Sequence, residues 1–162
     1  TVYYHHAVSI ASQMFEKAAD LALANGELEP EAYARMNDIE AFWNILHSKV
    51  SSGLAKRLLN RRLFKRIVYK DIKKGKTNRE EIEERLINRA KLKYDEFIVF
   101  ESKMRFIKEE GTPVLNRHKK KIGTIESLSS IIKTLKENEA TRFIIASDRK
   151  NKRKILEAIK GQ

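Results

Sequence analysis

Apolar residues recur at three- and four-residue spacing from the start of the chain, with Val2, Tyr3, Ala7, Ile10, Met14, Ala18 and Leu21 on one stripe. This spacing predicts an amphipathic helix with one buried face. The pair Asn25-Gly26 readily takes the left-handed conformation that stops a helix. Pro30 suits the first turn of a short helix reaching about Met36, and Asn37 or Asp38 is placed to cap the next one. In that helix Ile39, Phe42, Trp43, Leu46 and Val50 form the expected apolar face. Ser51 and Ser52 offer an N-cap for a further helix carrying Leu54, Leu58 and Leu59, so the first half of the chain is expected to be helical.

The pattern changes at RRLFKRIVYKD, residues 61–71, where β-branched and aromatic residues crowd into a short run that reads as a strand. A polar loop, DIKKGKTN, follows. Asn78 with Glu81 resembles a capping box for a helix over 79–93, whose inner side holds Ile82, Leu86 and Ala90. DEFIVFESKMRFI is the longest strand expected, EEGTP turns the chain, and PVLNRHKKKIG supplies a short second strand. Thr124 then caps a helix to about Glu137, TRFIIAS is another strand, and Asp148 caps a closing helix that Gly161 ends. The expected fold is mainly α with a C-terminal α+β domain: a small antiparallel or mixed sheet with helices on one face. The boundaries that follow are a helical part over 1–70, a linker and helix over 71–94, and a basic α+β domain over 95–162.

Composition sharpens the picture in two ways. The chain has 162 residues, 41% of them hydrophobic, and no cysteine, which removes disulfides, thiolate nucleophiles and zinc–thiolate sites and fits a reducing cytoplasm. No run approaches the roughly 20 apolar residues of a membrane span, and the N-terminus lacks the order of a signal peptide, so no membrane partner is expected. Abundant Lys, Glu and Ile with two prolines lean toward a heat-loving source. The net charge of +12 is unevenly spread: residues 1–50 carry 3 Lys/Arg against 7 Asp/Glu, and the remainder 31 against 15. That surplus points to an anionic partner, whether a nucleotide, a nucleic acid or an acidic protein face.

Few residues offer chemistry by themselves. His5 and His6 are adjacent, so on a helix their side chains diverge by about 100° and do not share one metal. His47 and His118 stand apart, without metal-hydrolase spacing, and no complete metal site is found. Basic groups at 56–57, 61–62, 65–66, 117–121 and 149–154 are phosphate-binding candidates, though without a Gly-rich loop. The first helix opens on Tyr3-Tyr4-His5-His6 with no start methionine, so the chain is expected to be the C-terminal part of a larger protein.

Four landmarks in order carry a resemblance. They are Tyr3, Tyr4, His5 and His6 against Tyr-x-His-Lys, NDIEAF at 37–42 against Asp-Asp-Met-Glu-Ala-Tyr, RRLFK at 61–65 against Arg-x-Leu-Phe-Lys, and DEFIV at 95–99 against Glu-Asp-Phe-Ile-Val. In these the chain resembles the C-terminal half of the HD-domain phosphohydrolases, and among them the SAM-and-HD-domain deoxynucleoside triphosphate triphosphohydrolases and their prokaryotic relatives. The resemblance implies a metal-dependent parent enzyme acting on nucleotides, with the divalent metal held upstream by residues this chain lacks, so that the chain alone is inactive. It implies that Tyr3 faces the deoxyribose, with Tyr4 beside it where the relatives have Gln. It implies a regulatory nucleotide near His5 and His6, the latter replacing a Lys, and near Arg61 and Lys65. On an extended segment the alternation of Arg61 and Lys65 would put both on one face. The same residues also read as a strand with Leu63 inward and its basic groups in solvent. The implied partners are the missing N-terminal part, a deoxynucleotide and further copies of the protein in a homo-oligomer. The rival expectation is a non-catalytic module that binds nucleic acid or protein through its basic C-terminal two thirds.

Overall fold

The structure is a computed structural model describing residues 6–72, 78–103, 111–129 and 141–160. Helix α1, His6–Ala24, is followed by the single turn α2, Pro30–Tyr33, then α3, Asp38–His47, and α4, Ser52–Leu59. Strand β1 is Lys65–Ile72 and helix α5 is Arg79–Asn88. Beyond them come β2, Phe97–Lys103, the hairpin strands β3, Pro113–Leu115, and β4, Lys121–Thr124, and the turn α6, Ile125–Leu128. Strand β5, Thr141–Ser147, and helix α7, Lys152–Ile159, close the order. This is the expected mixed α+β class.

Local chemistry explains most boundaries. Helix α1 ends in a Schellman motif: Gly26, at φ 68°, donates to Leu23 O at 3.0 Å and Glu27 donates to Ala22 O at 3.0 Å. Asn37 caps α3, its side chain accepting from the N–H groups of Ile39 and Glu40 while the Glu40 carboxylate accepts from Asn37 N. Asn78 likewise caps α5 by accepting from Glu81 N. Ser51 departs from expectation: its hydroxyl donates to Ile45 O at 3.1 Å, tying α4 back to α3 instead of capping.

The sheet has the order β1-β5-β2, with both neighbours antiparallel to β5. Its first strand comes from residues 65–72, so the sheet spans the chain from its middle to its end. Side chains alternate across it. Ile98, Phe100, Ile144 and Ala146 point to a core shared with Ile10, Met14 and Ala18 of α1 and with Ile45 and Leu54. Phe97, Val99, Phe143 and Ile145 point the other way, to Ile82 and Leu86 of α5 and Ile155 of α7. Helices therefore cover both faces, where the sequence pattern predicts one, and this is why FIVF and FIIA are unbroken apolar runs. Each such Ile or Phe contributes about 1.5–3 kcal/mol on burial.

Several expectations need correction. The strand begins at Lys65, not Arg61, because α4 closes in a second Schellman motif whose left-handed position is Arg61, at φ 54°. Arg61 N donates to Leu58 O at 3.0 Å and Arg62 N to Arg57 O at 2.8 Å, so Arg61 and Lys65 do not alternate on one extended segment. In α3 Ala41 and Ile45 are buried and Leu46 packs against the core as expected, while Ile39 and Trp43 are 81% and 62% exposed. Asp148 makes no side-chain cap; its carboxylate is held by Arg57, and a 3₁₀ turn, Arg149–Asn151, precedes α7. Helix α5 stops at Asn88, short of residue 93, although Ala90 remains buried. The segment PVLNRHKKKIG gives a hairpin of two strands. Strand β2 begins at Phe97 rather than Asp95, after a 3₁₀ turn over Tyr94–Glu96, and α6 closes at Leu128 with Ser129 extended; the expected far ends of that strand and helix lie outside the described residues, as does Gly161.

Candidate anion-binding corner

At one end of the sheet, two basic segments more than 80 residues apart in sequence meet. Arg57, on the last turn of α4, lies over the Phe64 ring at 4.7 Å and makes a two-pronged ion pair with Asp148, at 3.1 and 2.5 Å. Such fork-to-fork pairing fixes geometry as well as charge. It joins the α4 terminus to the end of β5. Phe64 is buried, and its N–H donates to Met14 Sδ at 3.4 Å, which anchors the chain between Arg61 and Lys65 onto α1. Lys65 stands opposite Ser147 in the β1–β5 register, and Arg149 and Lys150 follow after Asp148.

The result is an exposed cationic corner of Lys56, Arg61, Arg62, Lys65, Arg149 and Lys150, in which the acid between the basic segments, Asp148, is already paired with Arg57. The fold of β5 behind it is firm. Ser147 is buried, its hydroxyl donates to Glu96 O at 2.5 Å, and Asn151 Nδ2 donates to Ser147 Oγ at 3.1 Å. Exposed guanidinium and ammonium groups on segments that meet here suit a polyphosphate, since charge-assisted contacts are the stronger kind.

Arg61, at the end of a helix, and Lys65, at the start of a strand, thus stand exposed on either side of the buried Phe64. Arg149 and Lys150 join them unforeseen: their segment reads as a basic group in sequence, but only the β1–β5 register and the Arg57–Asp148 pair connect it to residues 61–65. His6 begins α1. Tyr3, Tyr4 and His5 lie outside the described residues. Among the described residues no three His, Asp or Glu side chains lie together as a metal cage would need.

A second basic feature is the tip of the β3–β4 hairpin. Asn116 Oδ1 accepts from His118 N and Lys120 N at 2.9 and 3.0 Å, and Lys119 takes a φ of 59°. This turn presents Arg117, Lys119, Lys120 and Lys121 to solvent. A buried cation lies elsewhere: Lys17 Nζ donates to Phe97 O at 2.8 Å and sits 3.6 Å from the centroid of the Tyr94 ring. Burial lowers its pKa to about 8, against the opposing pull of Glu83.

Comparison with known proteins places these features in a family. The fold is similar to the crystal structure of a hypothetical protein from Aquifex aeolicus, solved at 2.0 Å, with a TM-score of 0.59 and 20% sequence identity. That similarity covers 98% of this chain and 40% of the solved one, so the chain spans less than half the length of that protein. No curated protein matches. The model of the HD associated region matches residues 1–159, and the chain belongs to that family.

Proposed function

We propose that this chain is the HD-associated part of a metal-dependent phosphohydrolase that acts on nucleotides, hydrolysing a deoxynucleoside triphosphate to deoxynucleoside and triphosphate. The observation that carries the reading is the cationic corner, in a chain whose family is defined by association with HD domains. In this reading Arg61 and Lys65, with Arg149 and Lys150 beside them, grip the phosphates of a regulatory nucleotide. His5 and His6 contribute to regulatory binding, and Tyr3 and Tyr4 form a wall of the substrate pocket. A phenol suits that wall, offering a flat ring for the sugar and one hydroxyl for its 3′ oxygen. The divalent ion, which would activate water and shield phosphate charge, does not fit the described residues here and is assigned to the HD domain proper. Homo-oligomers would bring corners of neighbouring copies together.

The test uses the full-length protein with a divalent ion and each deoxynucleoside triphosphate. Arg61→Ala with Lys65→Ala is expected to raise the nucleotide concentration for half-maximal activation by about tenfold, the equivalent of ~1.4 kcal/mol. An unchanged activation curve would remove the corner from the regulatory role.

The hairpin tip favours a second reading, binding to a nucleic-acid backbone. Neutralising Arg117, Lys119, Lys120 and Lys121 should then flatten the salt dependence of oligonucleotide binding, by about 0.9 in slope for each duplex phosphate that these side chains neutralise. Equal slopes for both proteins would dismiss it.

A further inference from the structure

Helix α3 is apolar on two sides, and only one side faces its own core. Ala41 and Ile45 point inward, whereas Ile39, Phe42 and Trp43 form an outer stripe, with Ile39 and Trp43 the most exposed large apolar residues of the helix. The stripe continues onto α1. Phe15 and Phe42 stack with ring centroids 6.3 Å apart and planes inclined by 11°, and they line a groove of about 600 Å³ with Asp38, Ile39 and Trp43. Seven residues before Phe15, and so two turns along the same side of α1, Val8 is also exposed. Leaving an Ile and a Trp in water forgoes about 1.5–3 kcal/mol each, and a contiguous patch of this kind marks an interaction surface.

We infer that this outer face of α3 and α1 is the seat of the HD domain of the same polypeptide. Two observations and the physical effect of tethering select that occupant. Residues 1–50 carry more acidic than basic groups, and Asp38 lines the groove, so a polyanion is a poor fit. The family is the region associated with HD domains, and the similar solved chain has more than half of its length beyond the match. A tethered domain, finally, meets the face at an effective concentration in the millimolar range, which a second copy must exceed to displace it. The inference rests on the reading that an HD domain shares the polypeptide, and it does not depend on what that domain hydrolyses.

The experiment places p-benzoylphenylalanine at position 39 of the full-length protein, irradiates it and maps the crosslinks by mass spectrometry. Crosslinks within one chain to peptides of the HD domain are expected, whether or not the protein turns over nucleotide. Crosslinks to a second copy, or none above an irradiated control at position 59 on α4, would overturn the assignment. Thermal unfolding of the full-length protein gives a second readout. Ile39→Asp with Trp43→Ser should lower the midpoint by several degrees where Leu59→Ser, also at an exposed apolar residue, does not; equal shifts would count against the docked face.

Discussion

Lys17 shows how one residue can set a pH dependence. It sits three residues after Met14 and one before Ala18, on the buried side of α1, and the sequence carries that signal as a lysine on an apolar stripe. Burial is the main cause of its lowered pKa, with Glu83, Asp95 and Asp20 opposing and Arg79 adding to it. Because the folded value, about 8, lies below the ordinary lysine value near 10.4, the unfolded chain binds more protons between the two. Stability should therefore rise as pH increases from 8 toward 10, by up to about 3 kcal/mol. Denaturant unfolding at stepped pH is expected to show that rise in the native chain and to lose most of it in Lys17→Met; an unaltered slope in the variant would mean that another group titrates. Arg61 supplies the complementary case, a charged residue in the left-handed position where glycine usually sits. Arg61→Gly should stabilise the fold by about 1 kcal/mol, read from the unfolding midpoint, while weakening the nucleotide response. A variant that is both less stable and fully responsive would contradict both roles.

At the scale of elements, legibility follows the side chain that fixes the backbone. Gly26 and Asn37 announce a helix end and a helix start through chemistry that acts within a few residues, and both are readable in sequence. Asn37→Ala should cost about 1 kcal/mol, since it removes the acceptor that both N–H groups of the cap use, and circular dichroism during thermal melting would measure it. The end of α4 is not readable, because its left-handed residue is an arginine and the following Leu63-Phe64-Lys65 already has strand character. The face of α3 misleads for a different reason. Residues 39, 42 and 43 and residues 41, 45 and 48 both satisfy helical period, and size favours the first set, but periodicity does not say which stripe meets α1 and α4. The strands β2 and β5 are legible as runs of Phe, Ile and Val, yet the cover on their second face, α1, lies some 75 residues upstream of β2.

For the whole molecule, the charge asymmetry visible in composition becomes spatial. The corner at residues 56–65 and 149–150 exists only because β1 pairs with β5, and the Arg57–Asp148 ion pair uses the acid beside the corner to hold the two segments together. Resemblance distinguishes Arg61 and Lys65 in the sequence, and tertiary pairing alone adds Arg149 and Lys150. The apolar outer stripe and the cationic corner give the chain two surfaces of opposite character, one suited to a protein neighbour and one to phosphate. The central claim is that these surfaces serve a nucleotide-cleaving parent. Its most direct test is to incubate the full-length protein with a deoxynucleoside triphosphate and a divalent ion, then quantify the products by anion-exchange chromatography. Equimolar deoxynucleoside and triphosphate, abolished by chelation and absent with the 162-residue chain alone, is the expected result; no cleavage by the full-length protein, or turnover by the isolated chain, would contradict it.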